Sequence, residues 1–138
     1  MAKLKFYDLD KWFSVYIRLR DADDNGNCRC CSCTKEGFWK EMDAGHFIPR
    51  QNKSTRYHEK NVFAQCRKCN RFYNGNPAGY AKFLLGHFPP SNPDHSILDE
   101  LIQLSHQAKK WTQTEINELR DYYKNEAIKL SKEKGLPL

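Results

Sequence analysis

Leu9, Trp12, Phe13, Tyr16 and Ile17 recur at three- and four-residue spacing, with Arg20 continuing the register, which predicts an amphipathic helix over residues 8–20 with one apolar face. Asp8 and Asp10 stand at its start as candidate caps. The stretch from Asp21 to Asn27 breaks the pattern with acidic and turn-forming residues and reads as a loop. Phe38–Met42 and Gly45–Ile48 have strand character, Gln51–Glu59 is a polar connection, and Asn61–Gln65 leads into Cys66. Beyond residue 76 the period becomes helical. Asn76-Pro77 starts one helix (Tyr80, Phe83, Leu84, His87), and Asn92-Pro93 starts a second (Ile97, Leu98, Leu101, Ile102, Ser105). Thr112-Gln-Thr-Glu115 forms a capping box for a third, with Ile116, Leu119, Tyr123, Ala127 and Leu130 in register and Gly135 and Pro137 ending it. The last two helices are expected to form an antiparallel hairpin. The pattern is that of an α+β protein.

A chain of 138 residues, 39% of them hydrophobic, is expected to form one domain with a modest core. The sequence has no apolar signal-peptide region at Met-Ala-Lys-Leu-Lys and no run approaching the ~18 apolar residues of a membrane span, so a cytoplasmic location is expected. There, six cysteines favour metal over disulfides. Charge adds a location. Residues 29–71 hold ten Lys and Arg against four acids, an excess equal to the whole formal charge of +6. That concentration suits a phosphate-backbone partner, with Arg50, Lys53, Arg56, Arg67, Lys68 and Arg71 as the candidate contacts.

The same segment is bracketed by two Cys-x-x-Cys pairs, Cys30/Cys33 and Cys66/Cys69. Each pair can present two thiolates to one tetrahedral ion, so four ligands for one structural Zn²⁺ are at hand. Cys28/Cys31 overlaps the first pair with identical spacing. Ser32 and Thr34, as candidate donors to the sulfurs, favour Cys30/Cys33, which leaves Cys28 and Cys31 as spare thiols, alternative ligands or a redox pair.

Between the knuckles lies a second constellation. His46 can act as a general base near neutral pH without bringing negative charge toward DNA. Asn61 is placed to hydrogen-bond backbone across the His-bearing loop and fix the imidazole. Asn70, directly after the second knuckle, offers a neutral oxygen to a hard divalent ion, Mg²⁺ or Mn²⁺. His-Asn-His nucleases usually carry a metal-binding acid or His directly before the base, where this chain has Gly45. Asp43 has the same strand parity, and a bare Gly45 would leave room for its carboxylate to reach back. Asn74, four residues after Asn70, is a weaker ligand candidate, and Asn76 reads as a cap.

Asp43-Ala-Gly-His46, Arg56-Tyr-His-Glu-Lys-Asn61, Gln65-Cys66-x-x-Cys69-Asn70 and Gly75-Asn76, together with Cys30-x-Ser32-Cys33 and Trp111-Thr112, resemble the phage lambda NinG/Rap recombination endonuclease family over residues 12–130. The resemblance implies a zinc-stapled ββα-metal core (HNH-type, His-Me finger) over residues 28–75, flanked by the N-terminal helix and a helical part over 76–134. It implies a phage or prophage endonuclease that cuts branched recombination intermediates, Holliday junctions and D-loops. His46 would be the base, Asn61 the orienting residue, Asn70 the catalytic-metal ligand, and Cys30, Cys33, Cys66 and Cys69 the zinc ligands. Asp43 and Gly45 match the family's own pattern. A four-way junction needs two symmetric cuts, which a homodimer meets most simply, with Trp111, Tyr122 and Tyr123 as candidate dimer surface. Two other readings stay open: a zinc module that binds DNA without cutting it, and a nicking enzyme acting on ordinary duplex.

Overall fold

The computed structural model describes residues 3–138, so Met1 and Ala2 of the N-terminal segment lie outside the described residues. Helix α1 (Tyr7–Asp21) buries Leu9, Phe13 and Ile17 of the predicted face, and Leu19 beside it in a separate cluster. Its cap differs from expectation. Phe6 is the N-cap residue with no side-chain cap bond, and Asp8 and Asp10 fall inside the first turn, where acids complement the helix dipole.

The longest helix, α5 (Gln113–Lys134), opens on the predicted capping box of Thr112 and Glu115 and closes at Gly135, whose φ of 67° suits glycine. It packs along α1. Leu9, Phe13 and Ile17 share one buried cluster with Ile116, Tyr123, Val62 and Tyr57, and the Phe13 ring meets Tyr123 edge-on at 4.8 Å. Lys134, at the end of α5, donates from Nζ to the carbonyls of Leu19 (2.7 Å), Arg20 (3.2 Å) and Ala22 (2.5 Å). One ammonium therefore satisfies the open end of α1.

Helix α3 (Pro77–His87) begins at Asn76, whose side chain accepts from the Gly79 N–H. Helix α4 (Ile97–Ser105) does not begin at Asn92-Pro93. Asn92 instead turns the chain by accepting the Asp94 N–H, and a Ser96/Asp99 capping box starts the helix. The expected α4–α5 hairpin is absent too. The apolar face of α4 (Ile97, Leu101) is buried with Tyr80 and Leu84 of α3 and with Phe63, whereas α5 is committed to α1.

The strands are short and form two antiparallel pairs. β1 (Asn27–Arg29), inside what the sequence presents as the approach to the first knuckle, pairs with β2 (Glu36–Phe38). Of the predicted strand Phe38–Met42 only Phe38, the last residue of β2, is extended in a ladder: a 3-10 turn at Trp39–Glu41 buries Trp39 and Met42 on the same side, as three-residue spacing allows. β3 (Asp43–His46) pairs with β4 (Val62–Gln65) in the register Asp43↔Gln65, Gly45↔Phe63 and His46↔Val62. β3 starts and stops two residues before the predicted strand because, after Phe47, the Asn61 side chain replaces the ladder. Its amide takes both backbone groups of Ile48. β4 is buried throughout, and α2 (Arg67–Phe72) follows it directly.

Candidate metal centre and adjoining cleft

The sulfurs of Cys30, Cys33, Cys66 and Cys69 lie within 4.8 Å of one another. Tetrahedral zinc with Zn–S bonds of ~2.3 Å requires sulfur separations of about 3.8 Å, and Cys33 and Cys66 stand 3.7 Å apart. The cluster is thus compatible with zinc. Thr34 closes the first knuckle at a φ of 68°, donating its N–H to the Cys30 carbonyl at 2.9 Å. The hydroxyls of Ser32 and Thr34 do not serve these sulfurs: Thr34 Oγ1 donates to the Cys33 carbonyl, and Ser32 lies against Cys31. Asn76 Nδ2, at 3.5 Å from Cys69 Sγ, and the Cys69 N–H, at 3.4 Å from Cys66 Sγ, are the donors. A hydrogen bond from the Cys31 thiol and several backbone N–H groups pull the Cys30 thiol down to about 4, which favours the thiolate. Cys28 and Cys31 stay outside the cluster. Cys28 faces Arg18, whose carbonyl its thiol meets at 3.4 Å, and burial pushes it up to about 11. Cys31 is buried beside Tyr80 and Leu84, and burial pushes it higher still.

Beside the cluster, β3, α2 and the loop after β3 enclose a cleft of about 600 Å³ whose lining includes Asp43, His46, Arg50, Asn70, Arg71 and Asn74. His46 Nε2 lies 2.9 Å from the carbonyl of Arg56. A carbonyl can only accept, so Nε2 carries the hydrogen and Nδ1 holds the lone pair of the neutral ring. Burial lowers the affinity of His46 for a proton, opposed by the Arg56 carbonyl and reinforced by Arg50. The neutral form is favoured.

Asn61 is fully buried and spans the loop that follows His46: Oδ1 accepts from the Ile48 N–H at 2.7 Å, and Nδ2 donates to the carbonyls of Ile48 (3.1 Å) and Thr55 (3.2 Å). Every polar atom of the side chain is used to fix backbone. Arg56 takes a different part from the expected phosphate contact. Its guanidinium is held by Asp10 (2.6 and 3.2 Å) and lies 4.5 Å over the Phe6 ring, so its charge is spent within the fold. Tyr57 also donates to Asp10. Asp10 thereby anchors the stretch whose carbonyl holds His46, a role that its position in a helix pattern could not signal.

Asp43 and Asn70 meet: Asn70 Nδ2 donates to Asp43 Oδ2 at 3.0 Å. Arg71 grips both oxygens of the same carboxylate at 2.9 Å. Asp43 therefore pairs with Arg71, which is engaged rather than open to phosphate. Asp43 does not reach back over Gly45. The space there belongs to Gln65: a Cβ on Gly45 would lie 1.9 Å from Gln65 Oε1. Asn74 lines the cleft from a left-handed turn (φ 50°) beyond the end of α2. Arg50, Lys53, Arg67 and Lys68 are exposed. Of the aromatic residues expected at a subunit surface, Tyr123 is core and donates to Glu59, Trp111 packs on Tyr57, and Tyr122 is exposed.

Fold and site together define a small α+β protein built on a four-cysteine cluster compatible with zinc, with an adjoining cleft lined by a histidine, two carboxylates, two arginines and two asparagines. None of its helices is long and apolar enough to cross a membrane among the described residues. The chain belongs to the NinG family: the family model described as Bacteriophage Lambda NinG protein matches residues 3–133. It is similar to protein ninG of Escherichia phage lambda, 29% identical over 111 residues, which is 80% of this chain and 49% of that protein. The chain thus spans about half the length of the curated relative it matches. No solved structure matches it.

Proposed function

We propose that this protein is a metal-dependent DNA endonuclease of the HNH type, in which β3, β4 and α2 form a ββα-metal core. The observation that carries this reading is the bond from His46 Nε2–H to the Arg56 carbonyl, which leaves Nδ1 as the proton acceptor on a ring lining the cleft. A base in that state can deprotonate water for attack on phosphorus. Asn61 contributes by holding the loop after the base, and Asp10 by holding the Arg56 stretch.

The residues suit a hard cation: Asp43 supplies carboxylate oxygen, Asn70 would supply its amide oxygen on turning from the Nδ2–Asp43 bond, and among the described residues no thiol lines the cleft. A Mg²⁺ or Mn²⁺ ion held there would neutralise charge on the phosphate and on the leaving 3′ oxygen. Arg71, released from Asp43, and exposed Arg50 would meet the phosphates, with Lys53, Arg67 and Lys68 extending the track.

The preferred substrate is branched recombination DNA, on the strength of the family resemblance and the basic segment. Two-fold symmetric cutting calls for a homodimer, for which exposed Tyr122 is the surface candidate. Cleavage of a synthetic four-way junction beside matched linear duplex tests the reading. Cutting that requires Mg²⁺ or Mn²⁺ and falls by ~10²-fold or more in His46→Ala is expected. Binding without cutting in every condition would leave a zinc DNA-binding module, and equal cutting of both substrates would exclude junction selectivity.

A further inference from the structure

Gln65 is the fully buried last residue of β4. Its Nε2 donates to Ser32 Oγ at 2.8 Å and to the Gly75 carbonyl at 2.7 Å. Since the Gly75 carbonyl can only accept, the amide orientation is fixed, and Oε1 is the atom turned toward Gly45. Among the described residues that oxygen has no hydrogen-bond partner. A buried, unpartnered carbonyl oxygen is costly and calls for an ion or another donor.

Its position supplies one. Gln65 is the direct cross-strand partner of Asp43, so both side chains leave the same face of the β3–β4 pair. That face also carries the bare side of Gly45, and Asp43 meets Asn70 there. A Cβ on Gly45 would lie 1.9 Å from Oε1, so the glutamine oxygen fills the space that a side chain at position 45 would take. Glycine at 45 and glutamine at 65 are then two halves of one arrangement.

We propose that Gln65 Oε1 binds the catalytic divalent cation together with Asp43 and Asn70, supplying from β4 the oxygen that Gly45 cannot supply from β3. The inference rests on the nuclease reading above. With Arg71 released from Asp43 and the Asn70 amide turned from its Nδ2–Asp43 bond, the site becomes one carboxylate and two amide oxygens, a set suited to a hard cation.

The test is a Mg²⁺ titration of the zinc-loaded full chain, labelled with ¹³C and ¹⁵N and followed at the side-chain carbonyl carbons of Asp43, Asn70 and Gln65. The expected result is that all three shift together and saturate at one ion per chain. Shifts at Asp43 and Asn70 with none at Gln65 would overturn the proposal and leave the nuclease reading standing. No shift at any of them would overturn both the proposed ligand and the proposed cation site. As a second measurement, Gln65→Met removes the oxygen at similar volume and is expected to weaken Mn²⁺ binding, read by electron paramagnetic resonance of the free ion, by about tenfold or more. Unchanged Mn²⁺ affinity in a folded, zinc-loaded Gln65→Met protein would also overturn it. Should that variant not fold, the titration of the unsubstituted protein decides.

Discussion

His46 shows how much one side chain depends on its surroundings. The type and place of the residue are legible in the sequence, because His inside a stapled loop with Asn61 and Asn70 at fixed distances restricts the chemistry. Its tautomer is not legible, since the Arg56 carbonyl reaches it only through folding. Nor is Gln65, whose relation to Gly45 depends on a strand register that a single sequence does not give. The burial of His46 has a measurable consequence. Its proton affinity is lowered, so the neutral ring persists below the unperturbed value near 6.5. The acid limb of kcat/KM against pH is therefore expected below about 6.5, and a limb above it would contradict His46 as a buried base. The same shift has a definite sign for stability. A neutral buried ring favours the folded state above the unfolded value, and that contribution is lost as pH falls through the lowered one.

At the scale of elements, local signals and tertiary ones separate. The α5 start was readable because a capping box is local chemistry: Thr112 and Glu115 satisfy each other's neighbouring N–H groups wherever the helix packs. The α4 start differs from expectation because Asn92-Pro93 and Ser96-x-x-Asp99 both carry start signals four residues apart, and the box with two reciprocal bonds prevails. Which helix packs on which is not readable, since an apolar stripe does not name its partner: α4 folds back onto α3 just before it, whereas α5 packs on α1 at the other end of the chain. The α1–α5 pairing is secured by Lys134 as well as by aromatic packing. Lys134→Ala removes a charged donor from three carbonyls at the end of α1. The expected loss is about 1–2 kcal/mol in urea denaturation with an unchanged m-value. A loss within error of zero would show that the bonds are replaced by water at no cost.

For the whole molecule, the four-cysteine cluster ties the turn between β1 and β2 to the start of α2, beside a buried cluster that already joins Cys28, Trp39, Met42 and Ala64. Zinc binding of the order of 10 kcal/mol is comparable with the entire stability of a small domain. A strong chelator is accordingly expected to remove one zinc per chain and abolish cooperative thermal unfolding, with recovery on adding zinc back. An unchanged thermal midpoint in metal-free protein would remove the staple from the account. The fold has a second fastening, from Asp10 on α1 to Arg56 and Tyr57. Its anchor, Asp10, lies outside the stapled stretch, yet it holds the residue whose carbonyl sets the hydrogen on His46. Residues 28–75 are therefore not a portable cassette. A graft of that stretch into a foreign scaffold would carry its metal ligands across intact, while the imidazole would lose the restraint that gives it a defined proton.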